Sequence, residues 1–354
     1  MRFLRFILIV SLIAIAGFYF MEKNDLTTEE AIENISPIVK EKKSLIESKT
    51  APEKQPGIPL EGDLFQWIGK DSDELVQTLG EPIRKDVSAY DYTWWVYTDQ
   101  ENQYIQFGVL DGDIETVYAA GSGLEIAPAS IGQAYDEMKE QFSFSKEVTY
   151  NNGFSSYTFR LNEDELKMRP LVKMSDDIFL QCYFDTFTEK LSSIRVLTSD
   201  ILLKHRPYEI EYRGNLPDEP LLSDEDWAEV ENGMEKQIFD LTNVLRSHYG
   251  KSELAWEENV SEVAFLHSKD MAENNYFSHY SKDGNGLKER LAVEDIFYLA
   301  AGENIAAQYP DAAAAMEGWL NSEGHREALL NDDYTHLGAG VYRFYYTQNF
   351  LSRP

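Results

Sequence analysis

"NSEGHREALLND", residues 321–332, is the stretch on which the reading of this chain turns. Asn321 and Ser322 are residue types that cap helices, and Gly324 gives the backbone freedom to turn. His325 and Arg326 then stand at the start of a new short helix. An ionisable ring at that place, with Glu323 beside it and His336 eleven residues on, is either part of a site or only a helix start. The surrounding sequence has to decide.

Just before it, "DAAAAMEGWL" (311–320) reads as a helix capped by Asp311, with Ala315, Met316 and Trp319 facing inward. Just after it, "LGAGVYRFYYTQNFL" (337–351) alternates and reads as closely apposed strands with glycines at one end. Further upstream Ser223 and Asp226 form a capping box. Trp227, Val230, Met234, Ile238, Leu241 and Leu245 then recur every three or four residues, and Gly250 ends the helix. A second helix carries Val260, Val263, Ala264, His267 and Met271 on one stripe, which makes His267 a hydrogen-bonded core residue. Five of the six histidines fall after residue 247, so acid–base or metal chemistry belongs to this half. The candidates are His279 in "NNYFSHYSKDG", Glu303 in "AGENIA" and His325. Each lies in a loop or at a helix end, where side chains converge.

The remainder has a different grain. At 354 residues the chain is long enough for two folded units with connectors. Arg2 and Arg5 precede an apolar run from Phe6 to Met21, which rises about 24 Å and, counted back to Phe3, reaches across a bilayer core. Ala14 and Ala16 make a weak cleavage site, but the apolar run continues past it, so an uncleaved anchor over 1–21 is the expectation, with everything beyond it exported. Residues 22–60 turn charged and then proline-rich and read as a stalk. Residues 61–213 hold a weak internal repeat: "IGKDSDELVQTLGEP" from Ile68 and "IGQAYDEMKEQFSFS" from Ile131, an offset of 63. Strand-like runs follow each copy: "YTWWVYT", "YIQFGVL" and "ETVYAAG" after the first, and "SSYTFRL", "IFLQCYF" and "LSSIRVL" after the second. The unit is a helix followed by a small antiparallel sheet, used twice. Trp94 and Trp95, adjacent in a strand, face opposite sides, and at least one of them belongs in a core. A linker at 214–222 leads to the helical unit at 223–354, and residues 220–354 are expected to fold alone.

Charge and cysteine bound the rest. There are 32 basic against 62 acidic side chains, a net charge of −30, which repels phosphate backbones and leaves nucleic acid a poor partner. Cationic ligands and divalent metals stay open. Cys182 is the one cysteine, so no intramolecular disulfide staples the chain, and a buried strand residue is its expected role.

The run "LTNVLRSHYGKSELAWEENVSEVAFLHSKDMAENNYFSHYSKDGNGLKERL", followed in order by "AGENIA", "EGWLNSEGHREALLNDDYTHLGAGV" and "YTQNF", resembles the CAP superfamily of cysteine-rich secretory, antigen 5 and pathogenesis-related 1 proteins, in its disulfide-free bacterial form. The resemblance covers about residues 235–351. The preceding repeat, roughly 64–213, resembles the CAP-associated N-terminal domain of membrane-anchored CAP proteins of Gram-positive bacteria. Together they imply an α+β chain: a duplicated helix-plus-antiparallel-sheet domain, then an α-β-α sandwich with a cleft holding two histidines and two acids. Residue by residue, His279 matches the first histidine, Glu303 the glutamate of the "GEN" motif and His325 the second histidine. The family's fourth position, three residues after the helix tryptophan, is here Ser322, with Glu323 adjacent and available to substitute.

Two imidazoles and a carboxylate with one open position would suit a zinc ion carrying a water, and calcium is the other metal considered. The alternative is that Glu303 and His325 hydrogen-bond each other and nearby backbone, fixing loops over the sheet. No serine or cysteine sits in a nucleophile motif. The expectation is a surface-anchored binding protein for an unidentified envelope ligand or protein. The alternatives are a metal-dependent hydrolase acting on cell-wall or extracellular substrate, and a structural envelope component.

Overall fold

The structure, a computed structural model, describes residues 57–353 apart from 61, 125 and 128. The expected anchor, 1–21, and nearly all of the stalk, 22–60, lie outside the described residues. Among the described residues no helix is long and apolar enough to cross a membrane.

The first half opens on a 3-10 turn, Leu64–Trp67, and the helix α1, Ser72–Leu79, capped by Asp71. Strands β1 (Arg84–Val87), β2 (Thr93–Thr98), β3 (Tyr104–Leu110) and β4 (Asp113–Ala120) follow as an antiparallel meander. The second copy starts on α2 (Tyr135–Phe142), at the spacing the repeat predicts. It then departs from the first. β5 (Glu147–Asn152) and β6 (Ser155–Arg160) make a hairpin, α3 (Glu163–Met168) intervenes, and β7 (Leu171–Lys173), β8 (Ile178–Asp185) and β9 (Lys190–Thr198) complete the copy, followed by α4 (Ser199–His205) and β10 (Glu209–Arg213). The two copies do not keep separate sheets. β4 pairs antiparallel with β9, Thr116 opposite Leu197, so a seven-stranded sheet runs β1-β2-β3-β4-β9-β8-β7. "SSYTFRL" is not the counterpart of "YTWWVYT" in this sheet. It forms β6, the centre of a three-stranded sheet ordered β10-β6-β5.

Side-chain alternation splits the large sheet's contacts between two faces. One face, with Ile105, Phe107, Val117, Cys182 and Ile194, packs with Leu75 of α1 and Met138 of α2 in a core of their own. Cys182 is fully buried there. The other face, with Trp94, Tyr118, Tyr183 and Leu197, belongs to a cluster that continues into the second half. Trp94 is buried edge-on against Tyr92, and Trp95 on the opposite face lies under the Lys85 ammonium, 3.6 Å from the ring centre.

The second half comprises α5 (Asp224–His248), β11 (Ala255–Trp256), α6 (Glu258–Glu273), α7 (Leu287–Val293), β12 (Ala300–Ala307), α8 (Ala312–Leu320), α9 (Glu323–Leu329), β13 (His336–Tyr342) and β14 (Tyr345–Ser352). The Ser223–Asp226 capping box opens α5, and Asp311 accepts from the Ala314 amide to cap α8. The sheet runs β11-β13-β14-β12. Leu337, Ala339 and Val341 of β13 face α5, while Gly338 and Gly340 face α6. A Cβ on Gly340 would lie 1.9 Å from the Phe265 nitrogen, so these glycines let a helix, rather than another strand, lie directly on the sheet. Helices on both faces of one sheet make the α-β-α sandwich. His267 is a core residue as expected: it is buried, with Nε2 3.0 Å from the Ser278 carbonyl.

The two halves share more than the apolar cluster. Arg195 of β9 pairs with Asp311 at 2.7 Å, and Arg84 of β1 with Asp240 of α5 at 2.9 Å. Glu317 of α8 accepts hydrogen bonds from Tyr118 (3.1 Å), Ser192 (2.6 Å) and Ser193. Arg326 of α9 grips both Asp185 oxygens at 3.0 Å, with Tyr249 donating to the same carboxylate. The helical half's apolar core is continuous with that of the first half. Trp227, Val230, Ile238 and Met316 belong to one apolar cluster with Tyr92, Trp94 and Leu197.

Candidate functional site

Glu303 sits in the middle of β12, opposite Asn349 of β14, with its side chain 4% exposed. A strand residue so placed must find partners for both oxygens. One oxygen lies 2.9 Å from Nδ1 of His279, and the other accepts from the Arg290 guanidinium at 2.6 Å. Arg290, on α7, also donates to the carbonyls of His279 and Asn285, which ties down the loop that carries His279. Burial alone would push the Glu303 carboxyl up. The hydrogen bond with His279 and the charge of Arg290 outweigh it and hold the group below the usual carboxylate range, so Glu303 is an anion.

His325 enters on the first turn of α9. Its ring centre is 6.3 Å from that of His279, tilted by 46°. Burial, then the neighbouring His279, depresses its pKa, so the imidazole is neutral. The residue after Glu303 fixes this helix. Asn304 points to the opposite face of the strand and donates to the His325 carbonyl and to Gln348, each at 3.1 Å. The "GEN" motif thus sets one histidine through a carboxylate and the other through an amide.

The structure therefore brings His279, Glu303 and His325 together and leaves Glu323 out. Glu323 is exposed and lines a different cavity with Phe187, Lys251 and Arg326. Ser322, at the family's fourth position, lies beside His325 in the wall of a cavity of about 530 Å³, with Phe277, Trp319 and Tyr345. His336 stands apart on β13, with Thr335 Oγ1 2.8 Å from its Nδ1. The neighbours in "GHRE" have divided tasks: His325 faces the cleft and Arg326 the first half. Sequence reasoning missed Arg290. The signal was hidden because Glu303 was expected in a loop or at a helix end; only its place in β12 buries the carboxylate and calls for a cation, which "GLKERL" supplies.

The fit to a divalent ion follows from these partners. Both Glu303 oxygens are engaged, one of them by a guanidinium that would repel a dication at contact distance. Among the described residues no group of three or more His, Cys, Asp or Glu side chains is set to hold a metal ion. As folded, the donor set does not fit one. The cavity offers the neutral imidazole of His325, a hydroxyl and aromatic rings, while the ionised Glu303 is already taken up by His279 and Arg290.

Comparison with known proteins agrees with this architecture. Residues 68–208 match the CAP-associated N-terminal family profile and residues 239–352 the cysteine-rich secretory protein family profile. The chain is 48% identical over 290 residues to the Bacillus subtilis membrane protein YlbC, covering 82% of this chain and 84% of that one. It is 36% identical over 121 residues to Bacillus subtilis YkwD, covering 34% of this chain and 47% of that one. An extracellular SCP-domain protein of Bacillus anthracis superposes with a TM-score of 0.79 at 41% identity, over 86% of this chain and all of that one. A cysteine-rich secretory protein of Staphylococcus aureus does so with 0.73 at 26% identity, over 85% and 98%. The chain therefore belongs to the cysteine-rich secretory protein (CAP) family, with a CAP-associated N-terminal domain in front.

Proposed function

We propose that this protein is a cell-surface binding protein, held to the membrane by residues 1–21, whose CAP cleft takes a ligand of the cell envelope without turning it over. The observation that carries the reading is the state of Glu303. It is ionised, buried and held by both His279 and Arg290, so it positions the cleft rather than standing free as a general base. His325, whose ring neighbours that of His279, lines a cavity of ligand size together with Phe277, Trp319, Ser322 and Tyr345, an apolar wall with a few polar groups. The charged residues around an apolar run at the N-terminus support the anchoring, as do the name of YlbC and the extracellular description of the Bacillus anthracis neighbour.

The test is cosedimentation of the full chain, in detergent, with isolated Gram-positive envelopes. His325→Ala or Tyr345→Ala is expected to weaken binding by about tenfold, which corresponds to about 1.4 kcal/mol. Binding unchanged in both variants would remove the cleft from the function. Release of soluble wall fragments during the incubation, abolished by Glu303→Gln, would make the protein a hydrolase instead.

A further inference from the structure

The cavity beside His325 has a neighbour. A second cavity, of about 430 Å³, lies on the far side of the segment after β12, and the two share Ala307, Gln308, Tyr309 and Gly318 as a common wall. The opposite wall of this second cavity is built by the first half of the chain. Asn162, Glu165 and Arg169 come from α3 and its cap, and Arg206 from the end of α4.

The common wall is held in place by its backbone. The Gln308 amide donates to the Phe344 carbonyl at 2.8 Å, and Tyr346 donates to the Tyr309 carbonyl at 2.9 Å. Gln308 adopts φ +65°, a left-handed conformation unusual for a side-chain-bearing residue. Such outliers persist only where the surroundings impose them, and they gather at ligand-contacting sites. Tyr309 rests directly on α8. A Cβ at Gly318 would sit 2.2 Å from the Tyr309 hydroxyl, so only glycine lets the ring lie there. The side chains of Gln308 and Tyr309 thereby border both cavities.

The lining defines what would bind. On the first-half wall Glu165 takes the Arg169 guanidinium at 2.8 Å and Arg206 donates to the carbonyls of Leu203 and Pro217, while Asp164 stands exposed. The wall thus carries two acidic and two basic side chains, which leaves it without a strong charge of either sign, and a ligand meets hydrogen-bonding groups together with the aromatic rings of Phe277, Tyr309 and Tyr345. A chain with net charge −30 repels a polyanionic polymer. Alternating polar edges and flat C–H faces, with no net charge, are the features of a neutral sugar ring, which stacks on an aromatic face and hydrogen-bonds around its rim.

We propose that the two cavities are consecutive subsites of one groove for a neutral oligosaccharide, with the CAP-associated domain supplying the second subsite. The proposal rests on the cleft being a binding site, as above. Its test is calorimetry on the full chain in detergent, with the β-1,4-linked dimer and hexamer of N-acetylglucosamine as probes. The hexamer is expected to bind at least about tenfold more tightly than the dimer. Met168→Trp, at the end of α3, would fill the second cavity from its first-half wall, and should abolish that gain while leaving the dimer unchanged. Gly318→Ala, which displaces Tyr309, should weaken both oligomers. Equal affinity for the two oligomers, with envelope binding intact, would overturn the second subsite and leave the cleft reading standing. Envelope binding with no affinity for either oligomer, or competed by a short wall peptide and not by the sugars, would overturn the ligand class.

Discussion

His205 makes the joined halves sensitive to acid, and the size of the effect follows from its surroundings. The ring is 7% exposed, with Nδ1 3.0 Å from an Arg195 nitrogen and Nε2 2.9 Å from the Tyr92 hydroxyl. A guanidinium can only donate, so Nδ1 carries the lone pair and Nε2–H donates to Tyr92. A second proton on Nδ1 would remove that acceptor and set two cations face to face. Burial, then Arg195, lowers the pKa to about 3, against the opposing pull of Asp311. In the unfolded chain the same ring titrates near 6.5. Between those values the unfolded state holds a proton that the native state lacks, so the stabilisation is complete above about pH 6.5 and is lost as pH falls. At roughly 1.4 kcal/mol per pH unit, a fall to about pH 4.5 removes about 2.7 kcal/mol through this residue alone. The assay is urea unfolding of the full chain at about pH 7 and about pH 4.5, for wild type and His205→Gln. The remaining titrating groups are common to both proteins and cancel in the comparison. Wild type should lose about 2–3 kcal/mol more than the variant. Equal losses would refute the assignment of a neutral ring wedged against Arg195.

Three further outcomes are expected. Arg195→Met leaves Asp311 charged and buried, and should cost about 3–5 kcal/mol by urea unfolding, since removing one member of a buried pair strands the other. A cost below about 1 kcal/mol would mean that the pair is hydrated in solution. A fragment of residues 220–354 leaves Asp240, Asp311 and Glu317 without Arg84, Arg195 and the two serines, so it should unfold at lower urea than the full chain and bind a hydrophobic dye. An unshifted midpoint would show the second half to be autonomous. Added Zn²⁺ should leave the thermal midpoint of wild type unmoved, because Arg290 occupies Glu303. A rise in wild type that His279→Ala and His325→Ala each abolish would restore a metal at this site.

The sequence was most readable where one element's periodicity settled the matter. The stripe Trp227–Leu245 and the Ser223 cap are local signals, and both elements stand where the pattern puts them. His279 and His325 were legible because one lies in a loop and the other at a helix start; Glu303, expected in a loop or at a helix end, stands instead in the middle of β12 and was legible only through the "GEN" motif. Arg290 was not, since an arginine on a short helix looks like a solvated charge until the strand that needs it is placed beside it. The choice between Ser322 and Glu323 depended on the phase of a seven-residue helix, which capping preferences alone do not fix. In the first half the strands were readable and their partners were not. β4 meets β9 across some eighty residues of chain, and the hairpin holding "SSYTFRL" leaves the large sheet altogether. Pairing of that kind is decided by the faces the strands bury together, which alternation within one strand does not reveal.

The shared face also explains why the cleft should respond to the domain in front of it. Buried ion pairs contribute little net stability, because desolvation offsets most of the attraction. Arg195–Asp311 and the hydroxyl cage around Glu317 are therefore weak as glue, but each tolerates few orientations, since a small slip would strand a buried charge. Both carboxylates belong to one short stretch, Asp311 as the cap of α8 and Glu317 on its second turn. Gly318 and Trp319, the next two residues, are cleft wall, and the Trp319 indole donates to the Ile305 carbonyl of β12 at 3.0 Å. A helix this short moves as one piece. The contacts that seat α8 against the first domain thus also set the distance between Trp319 and His325, so a substitution at Ser192 or Ser193, remote from the cleft in sequence, should alter ligand affinity as well as stability.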